Sequence, residues 1–170
     1  VVFRPHNVYG ERQNIGDAYR NVIGIFMNRL LQGQPMPVFG DGSQCRAFTY
    51  IGDIARTIAH APRIAAARNR VFNLGSDQVT TVDELAAEVA RVMGVPKRVQ
   101  QLAARNEVQQ AYASHALVRE VFGDAPETPL AEGLERMASW VRRVGARKTK
   151  EFTAIEVRKQ LPAAWQMWDG

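Results

Sequence analysis

The sequence predicts an α/β fold, because short segments of strand-forming residues alternate with amphipathic helices along the chain. The clearest example is the run Val-Phe-Asn-Leu at residues 71–74, which ends at Gly75 and precedes apolar residues at helical spacing from Leu85 to Met93. With 170 residues, 46% of them hydrophobic, the chain is long enough for one domain with a sizeable core.

The first residues predict a buried strand that runs into a ligand-facing loop. Residues 1–3 are Val-Val-Phe, and neither a Met nor a turn signal precedes them. A core strand would then start at a free amino terminus. We therefore expect this chain to be part of a larger fold.

A helix of about three turns is predicted next, because residues 22–30 carry apolar side chains at helical spacing. Gly33 supplies the residue that ends a helix in a left-handed turn. The sequence Pro-Met-Pro at residues 35–37 then favours extended backbone. This predicts a short strand at residues 38–39, followed by the Gly-Asp-Gly turn at residues 40–42.

A strand and a helix are predicted between residues 48 and 62. The run Phe-Thr-Tyr-Ile at residues 48–51 is rich in β-forming residues. Asp53 follows as the predicted N-cap of a helix that has Ile54 and Ile58 on one face and ends near Pro62.

Two further helices carry their own start signals. Thr81 and Glu84 have the spacing of a capping box. Thr128 and Pro129 are typical of the N-cap and first turn of a helix that begins with Leu130. Gly145 marks its end, and the apolar spacing predicts a helix that docks on the core.

The end of the chain differs in composition. Residues 142–150 are basic and linker-like, and an apolar tail with Trp165 and Trp168 follows. Two Trp residues this close to a terminus indicate docking onto the body or onto a partner, and we expect core packing.

The composition argues against several classes of protein. No apolar run approaches the ~18 residues of a spanning helix, so no membrane partner is expected. The single cysteine, Cys45, permits no internal disulfide and no zinc pair, which fits a reducing cytoplasm. The three histidines, His6, His60 and His115, show no metal-ligand spacing.

The charge of the chain favours small anionic partners. The net charge is +5, but the basic residues are dispersed and no aromatic residues are interleaved with them on a strand. This pattern argues against nucleic acid, which needs a basic surface with stacking platforms. A nucleotide diphosphate would suit a basic chain of this kind.

Four ordered motifs carry a resemblance to a known family. The motifs are Arg4-x-x-Asn7-x-Tyr9-Gly10, Gly-Asp-Gly at residues 40–42, Arg-Ala-Phe at 46–48 with Ile-Gly-Asp at 51–53, and Val-Phe-Asn-Leu-Gly at 71–75. In this order they resemble the extended short-chain dehydrogenase/reductase family, the NAD-dependent epimerases and dehydratases of nucleotide sugars. Arg105, Glu107 and helices at residues 114–122 and 130–144 extend the resemblance to about residue 144.

The resemblance implies a division of the chain. Residues 1–10 and 52–76 would form the end of a doubly wound, Rossmann-like parallel sheet. Residues 11–51 and 77–145 would form a small α/β lobe that binds the nucleotide sugar, and residues 146–170 would be the basic linker and apolar tail. The family also implies NAD as cofactor and a homodimer as the assembly.

The resemblance further implies that two devices of the family lie outside these 170 residues. One is a Gly-rich turn that binds the pyrophosphate of NAD, and the other is Tyr-x-x-x-Lys, in which the Lys favours the phenolate base. Neither spacing occurs in this sequence. We expect both in a missing amino-terminal half, no catalytic residue in this chain, and no catalysis by this chain alone.

The resemblance assigns eight binding residues. Pro5 and His6 would lie beside the nicotinamide, although the Pro5 nitrogen cannot donate a hydrogen bond. Arg46 and Arg105 would bind the diphosphate through the paired donors of their guanidinium groups. The remaining substrate-binding residues implied are Asn7, Val22, Val38, whose backbone would lie beside the base, and Phe39, whose ring would lie beside it.

Other interpretations stay open at this stage. Asn7 could simply cap a turn, Phe39 could be a core residue, and either arginine could be solvated. A nucleotide-sugar dehydratase shares every motif quoted above, and a non-catalytic binding protein could keep the fold without the chemistry. An independently folding interaction domain is a third alternative.

Overall fold

Strands and helices alternate along the chain in the computed structural model, which describes residues 1–17, 19–125 and 127–148. The strands are β1 (Val2–Pro5), β2 (Val8–Tyr9), β3 (Met36–Phe39), β4 (Cys45–Ala47), β5 (Thr49–Tyr50), β6 (Val71–Leu74), β7 (Val79–Thr81), β8 (Val99–Leu102) and β9 (Gln110–Ala111). The helices are α1 (Val22–Leu31), α2 (Ile51–His60), α3 (Val82–Met93), α4 (Ala116–Phe122) and α5 (Leu130–Val144). The α/β prediction is confirmed.

Most of the strand pairs are parallel and join segments that are distant in sequence. β1 pairs with β6, β2 with β5, β3 with β8 and β4 with β9, all in parallel, while β7 pairs antiparallel with β4. Parallel partners need a crossover connection, which a tight turn cannot provide. The helices occupy these crossovers.

The helix ends follow local capping chemistry where the sequence carries it. The side chain of Asn21 caps α1 by accepting from the Ile23 N–H at 3.0 Å. The capping box before α3 is confirmed, since Thr81 Oγ1 accepts from the Glu84 N–H and Glu84 accepts from the Thr81 N–H. Gly94 ends α3 in a left-handed conformation with φ of 68°.

Two predicted caps are wrong. Asp53 does not cap α2, which begins at Ile51 directly after the strand residue Tyr50, so Asp53 lies within the first turn. Thr128 does not cap α5, whose N-cap is Pro129. The two residues bind each other instead: Thr128 donates to the Asp53 carboxylate from its backbone N–H at 2.9 Å and from its hydroxyl at 2.6 Å.

The apolar residues form two clusters. The larger one is built from α1, α3, α5 and β3, with Phe26, Leu85 and Met137 fully buried at its centre. The smaller one surrounds β1, β6 and α4, where the rings of Phe3, Phe72 and Phe122 lie within 5.2–5.9 Å of one another. Of the predicted helix face on α2, only Ile54 is buried, and Ile58 is 39% exposed.

Most of the predicted linker and tail at residues 146–170, including Trp165 and Trp168, lies outside the described residues. In the described part of the chain, no helix combines the length and the apolar character that crossing a membrane would require. The division into a sheet domain and a substrate lobe stays a prediction.

The capping box of α3 gives a prediction about stability. Replacing Thr81 with Ala removes the acceptor for the Glu84 N–H, and we expect a loss of about 1 kcal/mol in the free energy of unfolding. Urea unfolding followed by circular dichroism measures it. Thr80→Ala, one residue earlier in β7, is the control and should change stability less; equal losses in both variants would contradict the capping role.

Candidate functional site

A cleft of about 630 Å³ lies between the loop after β1, the start of α1 and the ends of β3 and β4. This volume is within the roughly 300–1,000 Å³ typical of sites for small molecules. Three arginines, Arg20, Arg46 and Arg105, line it together with a single carboxylate, Glu107. The described walls of the cleft are therefore basic and suited to an anion.

The loop after β1 forms one wall and is fixed by cross-strand hydrogen bonds. Asn7 has a left-handed backbone with φ of 45°, which Asn tolerates better than most residues. Its side-chain amide donates to the Ala47 carbonyl at 2.9 Å, and the Thr49 hydroxyl donates to the His6 carbonyl at 2.9 Å. The loop is thus tied to β4 and β5.

Phe39 and Arg105 form a second wall. The guanidinium of Arg105 lies over the Phe39 ring at 3.1 Å from the ring centre, a cation–π contact. Arg105 Nε is buried and has no hydrogen-bond partner within residues 1–17, 19–125 and 127–148. Burial lowers the pKa of the Arg105 guanidinium, and Glu107 acts in the opposite direction.

Arg46 and Glu107 form an ion pair at the end of the cleft. Arg46 Nη2 lies 3.0 Å from Glu107 Oε2, and Arg46 Nη1 also donates to the Cys45 carbonyl at 2.8 Å. Gln44 Nε2 donates to Glu107 Oε1 at 3.2 Å and to the Phe39 carbonyl at 3.1 Å. Gln44 thereby links the Arg46–Glu107 ion pair to Phe39, whose ring contacts Arg105.

The structure brings five of the eight predicted binding residues together. The five that line the cleft are Asn7, Val22, Phe39, Arg46 and Arg105. Val38 instead faces the core and is 3% exposed, as expected for the alternate residue of a strand whose neighbour lines the cleft. The binding roles of all eight residues stay predictions.

Sequence reasoning missed Gln44 and Glu107 as candidates for the cleft. Glu107 is 61 residues from Arg46 and reaches it only because β4 and β9 pair in parallel. No local spacing indicates such a contact. Gln44 stands within the loop before β4, where a polar residue is unremarkable, yet it is only 7% exposed.

Pro5 and His6 lie at the carboxyl end of β1, outside the lining of the cleft. The His6 ring stacks on the buried ring of His115, with ring centres 5.0 Å apart. His115 Nδ1 lies 2.6 Å from Asp77 Oδ1, and Arg119 binds the other oxygen of Asp77 at 2.6 Å. His115 is another residue that sequence reasoning did not select.

Burial and neighbouring groups shift the pKa values of His6 and Asp77. Burial lowers the pKa of His6 below its ordinary value of 6.5, and the neighbouring His115 lowers it further, while the Arg4 backbone and Asp77 act in the opposite direction. Burial acts to raise the pKa of Asp77, but hydrogen bonds from His115 and Arg119 hold it below its ordinary value.

Comparison with known proteins agrees with the motifs. Residues 1–75 match the NAD dependent epimerase/dehydratase family. A putative UDP-glucose 4-epimerase of Methanocaldococcus jannaschii is 34% identical over 84% of this chain, and the UDP-glucose 4-epimerase of Mycolicibacterium smegmatis is 32% identical over 81%. The chain spans 45% and 44% of these two proteins.

A solved structure shows the same similarity over the same share of this chain. The UDP-glucose 4-epimerase of Thermotoga maritima, solved with UDP-glucose, superposes with a TM-score of 0.75 at 31% identity. The match covers 84% of this chain and 46% of that one. It confirms the predicted fold class at the level of a Rossmann-like α/β fold with parallel strand pairs.

The fit of NAD to this chain is partial. The carboxyl ends of parallel strands are where α/β sheets bind dinucleotides, and β1 and β6 present Pro5, His6 and Gly75 there. Pro5 has no N–H to offer, and the glycine spacing of a pyrophosphate-binding turn is absent from the 170 residues. Their chemistry fits one edge of a dinucleotide site and provides no pyrophosphate-binding turn, and a role in binding NAD stays a prediction.

The Arg46–Glu107 pair gives a prediction about stability. Both side chains are partly buried, at 17% and 32% exposure, so Glu107→Gln should lower the free energy of unfolding by about 1 kcal/mol. Urea unfolding measures the loss. Glu120→Gln is the control, since Glu120 is 70% exposed and 3.8 Å from Arg70. A loss in the control equal to that in Glu107→Gln would contradict the assignment.

The lowered pKa of His6 gives a prediction about pH. His6 binds a proton near pH 6.5 in the unfolded chain and only at lower pH in the folded chain. The contribution of neutral His6 to the free energy of unfolding is therefore complete above pH 6.5 and declines as the pH falls toward the folded pKa. Urea midpoints across this range measure the decline. His6→Asn should flatten this part of the profile, whereas the exposed His60→Asn should not; a profile unchanged by His6→Asn would contradict it.

Proposed function

Because the chain belongs to the NAD dependent epimerase/dehydratase family, we propose that it forms the nucleotide-sugar-binding half of an epimerase of the UDP-glucose 4-epimerase type. The substrate would be a nucleotide diphosphate sugar bound in the cleft. NAD, when bound to the whole enzyme, supplies transient oxidation and re-reduction of a sugar carbon. The residues of this chain bind and orient the substrate.

One observation carries this proposal: Arg46 and Arg105 line the same basic cleft. A diphosphate diester carries two negative charges, and guanidinium groups donate paired hydrogen bonds to its oxygens. Arg105 is partly desolvated, and its Nε has no partner in the described part of the chain. An anion placed there would compensate the buried charge.

The other residues of the cleft suit the uncharged parts of a nucleotide sugar. The Phe39 ring and the side chains of Val22 and Phe48 provide apolar surface for a base. Asn7 lies across the cleft on a rigid loop, where its amide can bind a hydroxyl or a phosphate oxygen. The lining of the cleft thereby combines polar and apolar side chains.

The finer features of the proposal rest on analogy with the family. We place the enzyme in the cytoplasm as a homodimer, with the amino-terminal half of the enzyme as a further partner, and we assign Pro5 and His6 to the nicotinamide side. The nearest alternative is a nucleotide-sugar dehydratase or decarboxylase. A UDP-N-acetyl-alpha-D-glucosaminuronate decarboxylase of Bacillus cytotoxicus is 26% identical over 85% of this chain.

The proposal predicts binding of UDP-glucose by this chain. Isothermal titration should give saturable binding that Arg46→Gln weakens by about tenfold or more, because a charged hydrogen bond contributes about 1.5–3 kcal/mol. Arg105→Gln should act likewise. Arg56→Gln is the matched control, since Arg56 is exposed on α2 outside the cleft. Binding that all three variants leave unchanged would overturn the proposal.

The proposal also predicts no turnover by these 170 residues alone. Incubation with UDP-glucose and NAD should give no UDP-galactose, because the sequence contains no Tyr-x-x-x-Lys to act as base. Nuclear magnetic resonance of the sugar anomeric protons follows the reaction. Formation of UDP-galactose would contradict the assignment of this chain to substrate binding. The same assay on the complete gene product distinguishes an epimerase, which is active, from a protein that only binds the nucleotide sugar, which is not.

A further inference from the structure

The stacked pair of His6 and His115 is not explained by the cleft alone. The rings are nearly parallel, with an interplanar angle of 18°, and His115 is only 1% exposed. The Nε2 atoms of both rings are buried and without a hydrogen-bond partner in the described residues. Gly75 makes room for this arrangement, because a Cβ there would lie 2.7 Å from His6 Nε2.

A chain of contacts leads from α4 through this pair to the cleft. Arg119 on α4 binds Asp77, and Asp77 binds His115 Nδ1, each at 2.6 Å. His115 stacks on His6, which directly precedes the cleft residue Asn7. The Thr49 hydroxyl fixes the His6 carbonyl from the other side. The His6 ring, which His115 holds, and the Asn7 side chain, which binds the Ala47 carbonyl, are therefore neighbours on one short loop.

The charges around the pair make its geometry sensitive to protons. His6 faces His115, the Arg4 backbone and Asp77, and Asp77 in turn faces Arg119. A second positive ring 5.0 Å from the first would be repelled in a region with little water. A stack in which His6 is neutral is compatible with the observed packing, whereas two imidazolium rings are not.

We propose that His115, held by Asp77, is a positioning residue that keeps the His6–Asn7 segment in its ligand-binding conformation, and that protonation of His6 opens the stack and weakens ligand binding. The proposal rests on the proposed function, since it assigns the ligand to the same cleft. It adds a positioning residue outside the cleft, His115, and a dependence of ligand binding on pH.

UDP-glucose is a suitable probe, because its diphosphate diester does not titrate near the pKa of histidine. Isothermal titration of the 170-residue chain should show affinity several-fold weaker at about pH 5 than at about pH 7.5. His115→Phe keeps an aromatic ring on His6 but removes the imidazole that disfavours protonation of His6, so its affinity should change little with pH. His60→Phe, on the exposed end of α2, should retain the full pH dependence.

A second measurement tests the pair without any ligand. Nuclear magnetic resonance of the ¹⁵N-labelled chain should show His6 titrating below 6.5, with the Asn7 backbone amide signal following the same curve. In His115→Phe the titration midpoint of His6 should rise toward 6.5, and the chemical shift of the Asn7 amide should not change with pH.

The outcomes separate the two proposals. Absence of UDP-glucose binding at every pH contradicts the proposed function, while the Asn7 signal still reports on the pair. The positioning role of His115 is overturned if the Asn7 amide signal does not shift over the pH range in which His6 titrates. It is also overturned if the affinity for UDP-glucose has the same pH dependence in His115→Phe and in the unsubstituted chain. His115→Ala, which removes the ring, should weaken binding at both pH values, and unchanged binding there would also overturn it.

Discussion

Parallel pairing between strands that are distant in sequence is the constraint on which the cleft depends. Parallel partners cannot be joined by a tight turn, so the chain builds helices in the crossovers. The pairing of β4 with β9 brings the segment before β9 close enough for Glu107 to form its ion pair with Arg46. The pairing of β1 with β6 places His6 beside Gly75. The residues of the cleft come from strand ends, loops and the start of α1, and Arg46, Arg105 and Glu107 meet there although Arg46 is distant in sequence from the other two.

The local structure could be predicted because its causes are local. The apolar spacing of α1 and the Thr81–Glu84 capping box each lie within one helix, and both are confirmed. The cap predictions for Asp53 and Thr128 are wrong because these two side chains satisfy each other across 75 residues. A side chain that could cap a helix is no longer available to bind the N–H groups at the helix start once it is bound to a residue elsewhere in the fold.

The site was predictable where a motif fixes both residue type and position. Asn7, Phe39 and Arg46 belong to such motifs, and the structure places all three on the cleft. Val38 precedes the same Gly-Asp-Gly turn, and alternation along β3 directs its side chain into the core, while the backbone contact implied for it stays a prediction. No local sequence pattern indicates the roles of Glu107 and His115. The contact of Glu107 with Arg46 depends on strand pairing, and the contact of His115 with His6 depends on packing of the segment before α4 against the end of β1.

The central claim is that the basic cleft binds the diphosphate of a nucleotide sugar. A crystal structure of this chain with UDP-glucose tests it most directly, because it shows the ligand and the side chains together. The account predicts the diphosphate between Arg46 and Arg105, with the base on the apolar wall near Phe39. A diphosphate bound elsewhere, with both arginines turned away from it, would contradict the account.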